Sequence, residues 1–223
     1  MLLNRGLIVS CQAGEGEPLH GYGIMNLMAK AAVFSGAVGI RALYYDIESI
    51  KQTVSVPVIG LVKQDYDDSE IYITPTKKEI DLVLQTGAEV VALDATLRHR
   101  PNGETLEELV KYVREKAPNV EIMADIATIE EAINADKLGF DYVSTTLRGY
   151  TAETKGKKLP DIAFMKEVKD AMKNAKTIAE GGVYEVGEVE KISEVNPYAV
   201  VIGSAITRPA VTTARFNNAL KLK

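Results

Sequence analysis

Val90-Val91-Ala92-Leu93-Asp94 is an unbroken apolar run closed by a single carboxylate. Four apolar residues in succession leave no polar face, so the strand they predict is covered on both sides. The same arrangement recurs along the chain, eight times in all, each run closing near a polar residue or glycine before a helical stretch. The closing residues are Gln12, Arg41, Lys63, Asp94, Asp125, Thr145, Glu180 and Gly203. Buried strands alternating with helices imply a parallel sheet. Eight even units without a topological break favour an α/β fold closed as a (β/α)8 TIM barrel over an open doubly wound sheet. Chemistry in such a barrel sits where the strands end, so the closing residues are the first candidates to face a ligand.

Outward from that run, the other predicted strands cover 7–11, 38–42, 58–62, 121–125, 141–145, 177–180 and 199–203. Helices are predicted from Ile24 to Phe34, Asp46 to Thr53, Thr76 onward, Glu104 to Lys116, Thr128 onward and Asp161 to Lys173, with a last one reaching Leu222. Thr76 with Glu79 and Thr128 with Glu131 have capping-box spacing, and Gly36, Gly87 and Gly139 read as helix C-caps.

The chain has 223 residues, between the roughly 200 and about 250 residues usual for such a barrel. With 46% apolar residues and no Pro- or Ser-rich linker, residues 1–223 read as one domain. A formal charge of −5 argues against nucleic-acid and anionic-membrane partners. Any anion must therefore be held by a few local donors. Cys11 is the only cysteine, which excludes an intrachain disulfide and a thiolate-rich metal site. Ile8-Val9-Ser10-Cys11 superficially resembles a lipoprotein cleavage box, but the apolar stretch before it is short and Arg5 is close. No apolar stretch approaches the ~20 residues that span a bilayer. These features predict a soluble, cytoplasmic protein.

Gly181-Gly182 and Gly203-Ser204 follow strands seven and eight. Backbone N–H groups reach an anion where no side chain intervenes, and this is where such barrels hold phosphate. Gly182, Gly203 and Ser204, with Arg208 beyond them, are the predicted phosphate-binding residues. Lys63 is unlike the other lysines: at the end of a buried strand its charge must be desolvated unless it is paired or used. A desolvated lysine has a lowered pKa and serves as a base or a Schiff-base nucleophile. The alternative is a salt bridge to Asp94 or Glu180. Glu180, across the ring, supplies a carboxylate for moving a proton next to a carbonyl. Asp94 and Asp125 read as hydroxyl-binding or lysine-orienting groups rather than metal ligands, and no metal is expected. Gln12 and Arg41 suit a carbonyl or amide, and Thr145 is read with them as substrate-facing. Arg98, His99 and Arg100 precede a Pro-Asn-Gly turn and read as a solvated loop, and His20 receives no role.

The segments Ile8–Gln12, Tyr66–Thr76, Ala92–Thr96, Ala124–Ile126, Val143–Leu147, Gly149–Thr151 and Gly203–Arg208, in this order, resemble N-acetylmannosamine-6-phosphate 2-epimerases. The resemblance runs from the first strand to the last. It implies a sugar-phosphate isomerase of sialic acid breakdown, without redox cofactor or metal, acting as a homodimer. It implies that Lys63 and Glu180 are catalytic, that Gln12, Arg41 and Asp125 bind the sugar, and that Arg208 binds phosphate. One departure stands out. Many members of that family read Glu-Gly-Arg where this chain has Glu180-Gly181-Gly182, and the Gly182 amide and Arg148 are the substitutes this sequence offers.

The chemistry implied is proton transfer at C2. Ring opening makes C1 an aldehyde, Lys63 removes the adjacent proton, and a proton returns to the other face, with Glu180 either assisting ring opening or supplying that proton. Two other readings compete. A strand-end lysine also suits a Schiff-base lyase or aldolase, and the missing arginine suits a non-catalytic sugar-phosphate binding barrel.

Overall fold

The structure, a computed structural model, describes residues 1–221. The apolar runs form strands β1 (Gly6–Cys11), β2 (Gly39–Leu43), β3 (Val58–Leu61), β4 (Val90–Asp94), β5 (Glu121–Asp125), β6 (Tyr142–Ser144), β7 (Lys176–Glu180) and β8 (Ala199–Ile202). Each pairs in parallel with the next, and β8 returns to β1 in the register Gly6↔Ala199 to Val9↔Ile202, closing the barrel. Around it run α1 (Met25–Phe34), α2 (Tyr44–Lys51), α3 (Lys77–Gln85), α4 (Leu106–Lys116), α5 (Ile129–Leu138), α6 (Ile162–Ala171), α7 (Val186–Val195), the short α8 (Ser204–Thr207) and α9 (Pro209–Ala219). The last helix ends at Ala219, and Leu222, where it was expected to finish, lies outside the described residues.

Local chemistry sets these boundaries. Both expected capping boxes form, and Thr105 with Glu108 makes a third. Each satisfies N–H groups that the first helical turn leaves without partners. Gly139 ends α5 at φ +84°, a conformation that suits glycine because it has no Cβ. A helical stretch was expected after β7, but the bounds of α7 were not. Glu185 and Glu188 close its N-terminus as a capping box without the Ser or Thr that usually signals one.

Alternation along the strands sorts side chains into two layers. Ile8, Ile59, Leu61, Val90, Ala92, Met123, Tyr142, Ile178 and Val201 pack together inside the barrel. Their neighbours Val9, Ile40, Val58, Val91, Ile122 and Val143 face the helices, against Ile47, Ile80, Leu109 and Phe164. Gly60 lies on that outward face, where a Cβ would stand 2.6 Å from Val83 Cγ1 and 2.7 Å from Ile47 Cδ1. Its lack of a side chain lets α2 and α3 sit directly on β3. Counting two residues on from the inner layer leads to Ser10 and Gln12, Lys63, Asp94, Asp125, Ser144 and Glu180, all toward the C-terminal mouth.

Candidate active site

Arg41 is not at the end of its strand as expected. It sits in the middle of β2, beside Ser10 and Ile59, and is almost wholly buried. Its guanidinium grips Asp125 through two bonds, Nη1–Oδ1 at 2.9 Å and Nη2–Oδ2 at 2.6 Å. Nη1 also donates to Glu180 Oε2 at 2.7 Å. One cation thus lies between two carboxylates. Burial alone would lower the pKa of Arg41, but Asp125 and Glu180 outweigh it and keep the guanidinium charged. Arg41 Nε is buried and has no partner among the described residues.

Glu180 closes β7 and opens onto the mouth. Besides Arg41 it accepts from Ser144 Oγ at 3.3 Å, and Thr146 Oγ1 lies 3.1 Å away. Burial is the largest influence on its carboxyl and raises its pKa; Arg41 opposes, and the negative charge of Asp125 raises it again. The result is a carboxyl held above the ordinary range. Thr145, expected to face substrate, does not. Its hydroxyl donates to the Glu180 carbonyl at 2.7 Å and accepts from the Glu180 N–H at 3.0 Å, fixing the backbone of β7. The next residue, Thr146, is the one that lines the cavity and also donates to Asp125 Oδ1 at 2.6 Å.

Lys63 follows β3. The expected loop after it folds back, with Gln64 N–H donating to the Tyr72 carbonyl at 3.0 Å and Thr74 N–H to that of Val62 at 2.8 Å. Lys63 itself bridges to Ile73, so its backbone is held on both sides. Its side chain forms no ion pair within 4.0 Å among the described residues, so the alternative of a salt bridge to Asp94 or Glu180 is not realised. The expectation of a fully desolvated lysine holds only in part, because the side chain is open to the mouth. Partial desolvation by the surrounding walls, then repulsion from Arg41 and Arg208, still hold its pKa below the usual lysine value, against weaker pulls from Glu17 and Glu180.

Lys63, Arg41, Glu180, Gln12 and Thr146 line one cavity of about 230 Å³. Its far side is made by Gly181, Gly182, Gly203, Ser204 and Arg208, with the rings of Tyr72, Tyr150 and Tyr184 on its walls. The expected catalytic and phosphate-binding groups therefore share a single space. Gly203 immediately precedes α8, whose first N–H groups have no intrahelical acceptors. Gln12 Nε2 is steadied by Ser10 Oγ at 2.9 Å. Asp125 lies behind Arg41, fully buried, and acts on the cavity through that arginine.

Several expectations need correction. Asp94 is turned away from Lys63; it accepts from the Thr96 hydroxyl at 2.6 Å and from Arg98 Nη2 at 2.8 Å. Arg100 is not solvated but buried, donating to the carbonyls of Asp94 and Pro75 at 2.5 and 3.1 Å. Arg148 is no substitute for a phosphate arginine. It pairs with Asp161 at 2.9 Å and stacks on Phe164. His20, given no role above, bonds the Ala13 carbonyl at 3.0 Å and helps anchor the first loop. Gly182 has φ +70°, and a Cβ there would come within 2.3 Å of Leu159 Cβ. The loop before α6 thus occupies the space a side chain at 182 would need.

Residues 25–222 match the family model described as "Putative N-acetylmannosamine-6-phosphate epimerase". The chain belongs to this family. Two curated relatives, from Staphylococcus carnosus and Staphylococcus haemolyticus, are both named "Putative N-acetylmannosamine-6-phosphate 2-epimerase". The first is 58% identical over 99% of each chain and the second 56% identical over the full length of each. The solved structure of the N-acetylmannosamine-6-phosphate 2-epimerase from Clostridium perfringens superposes with a TM-score of 0.92. It shares 47% identity, covering 98% of this chain and 94% of that one. A thiamine phosphate pyrophosphorylase from Pyrococcus furiosus, at 16% identity and TM-score 0.61, shares the barrel fold alone.

Proposed function

We propose that this protein interconverts N-acetylmannosamine 6-phosphate and N-acetylglucosamine 6-phosphate by moving the proton at C2. The observation that carries the reading is the shared cavity. An unpaired lysine of lowered pKa and a carboxyl of raised pKa line it together, opposite two glycine corners and an arginine. Pairs of titratable groups displaced in this way supply a base and an acid near neutral pH.

In the open-chain sugar the C2 hydrogen lies next to the C1 aldehyde. Neutral Lys63 takes that proton, and negative charge spreads onto the C1 oxygen. A proton returned to the opposite face of C2 completes the inversion, with Glu180 as donor. Gln12 and Arg41 hold the sugar, Asp125 holds Arg41, and Gly182, Gly203, Ser204 and Arg208 take the phosphate. Lys63→Met keeps the side chain's length and removes the amine. In deuterium oxide the wild type should incorporate deuterium at C2, seen by NMR, and the variant should not. A variant that still exchanges C2 hydrogen at near wild-type rate removes Lys63 from the mechanism.

Two copies associate in this reading. Helix α9 buries none of its residues, and Phe216 on it is 75% exposed. The outer side of β8 and β1, with Val189 and Ile206, leaves an apolar cavity of about 730 Å³ uncovered. A second copy would cover such surface. Among the described residues no helix is long and apolar enough to cross a membrane, and a phosphorylated sugar does not diffuse through one, which supports a cytoplasmic site of action.

A further inference from the structure

Arg208 is the cavity guanidinium suited to the phosphate, because the charge of Arg41 is already met by Asp125 and Glu180. Yet Arg208 already holds an anion. Its Nε donates to Glu17 Oε2 at 2.8 Å, and its Nη2 lies 2.8 Å from Glu17 Oε1. Only Nη1 is left toward Ser204 Oγ, at a long 3.4 Å. The two-pronged face that best grips a phosphate is therefore covered by a carboxylate of the chain itself. Glu17 also lines the cavity, so a phosphate seated there lies near a like charge unless Glu17 leaves.

The carboxylate is mounted on a segment able to move away. Glu17 belongs to the loop between β1 and α1, a series of turns with Gly16, Gly21 and Gly23 at φ +81°, +75° and +62°. Apart from Arg208, the Glu17 carboxylate accepts one bond among the described residues, from Gly14 N–H at 3.3 Å within the same loop. Both ion-pair partners are partly exposed, with side chains 39% and 29% accessible, so water can replace the pair at modest cost.

We propose that Glu17 is a resident counter-ion of Arg208, which the phosphate of the substrate displaces, and that the exchange frees the β1–α1 loop. This rests on the phosphate site of the preceding section. Glu17 is then a specificity-determining residue, since a sugar without phosphate has nothing to exchange for it. An intramolecular competitor weakens the apparent affinity for any outside anion, and removing it restores that affinity.

Inorganic phosphate is the probe, with binding followed by calorimetry and loop opening by amide hydrogen exchange. The wild type should bind phosphate, and exchange over residues 14–19 should rise when it does. Glu17→Gln keeps the size and removes the charge. It should bind phosphate roughly three- to tenfold more tightly, as release of a part-exposed, two-pronged ion pair predicts. Its loop should exchange fast before phosphate is added. Unchanged or weaker binding by Glu17→Gln overturns the proposal, as does tighter binding with no phosphate-dependent exchange in the wild type. If wild-type protein binds no phosphate, the phosphate site itself falls and the proposal with it. Turnover at C2, read separately by NMR, tells that failure apart from a failure of the epimerase reading.

Discussion

Replacing Gly182 by alanine adds one methyl group at the corner after β7, and its surroundings set the penalty. The new Cβ would stand 2.3 Å from Leu159 Cβ and 3.3 Å from Leu159 Cα and carbonyl carbon, on a backbone at φ +70°. Two effects add. A left-handed conformation costs an L-residue about 1–2 kcal/mol. Overpacking against atoms that cannot swing aside costs about 1–3 kcal/mol. Together they predict a loss of about 2–5 kcal/mol, or a fall in Tm of roughly 4–20 °C for a chain of this length.

The colliding atom also dictates the control. Leu159→Ala keeps Cβ and leaves the collision in place, whereas Leu159→Gly removes it. In double-mutant cycles by urea unfolding, Gly182→Ala should couple with Leu159→Gly by about 1–3 kcal/mol and with Leu159→Ala hardly at all. Equal rescue by both, or a Gly182→Ala midpoint equal to wild type, would mean that the loop before α6 yields freely and would refute the steric reading. Gly182→Arg should be at least as damaging. The departure from the Glu-Gly-Arg pattern and the position of Leu159 are then two sides of one arrangement.

Asp125→Asn should lower stability by about 1–3 kcal/mol, since amide oxygen replaces charge-assisted acceptors. It should also make Glu180 the sole counter-ion of Arg41, so the Glu180 pKa falls. The proposed mechanism needs neutral Lys63 and protonated Glu180, which predicts a bell-shaped pH profile of kcat/KM. The variant should lose at least about tenfold in kcat, with the limb governed by Glu180 moved to lower pH; an unmoved profile would detach Asp125 from the chemistry. For assembly, the wild type should sediment as a dimer and Phe216→Glu as a monomer, and a monomeric wild type at micromolar concentration would sink the proposed association.

The barrel was legible because its signals are local. Run length gives the strands, Thr–Glu spacing gives the starts of α3 and α5, and glycine gives the end of α5. The bounds of helix α7 escaped because no Ser or Thr marks its N-terminus, where Glu188 accepts from the Tyr184 and Glu185 N–H groups. The strand ends pointed to the residues around the cavity, but alternation was needed to say which side chains line it. From Tyr142 inside the barrel, steps of two lead to Ser144 and Thr146 and pass over Thr145, which makes the backbone bonds to Glu180 instead. Arg100 looked solvated beside its Pro-Asn-Gly turn because the carbonyls that bury it belong to other parts of the chain. Glu17 and Arg208 are 191 residues apart, and no local pattern pairs them.

Burial is the first cause of the contrast between Lys63 and Glu180, and one shared cation then acts on both. Arg41 repels the Lys63 ammonium and so favours the neutral amine that a base requires. The same positive charge, acting alone on Glu180 at 2.7 Å, would hold that carboxyl ionised and leave it without a proton to give. Asp125 resolves the conflict. Its two short bonds largely neutralise Arg41 from behind, and its own charge adds to burial in raising the Glu180 pKa. Lys63 is pulled the other way only weakly, by Glu17 and Glu180, so burial and repulsion from Arg41 and Arg208 prevail there. A variant that removes the Asp125 carboxylate should therefore disable the acid while leaving the lysine's base function in place.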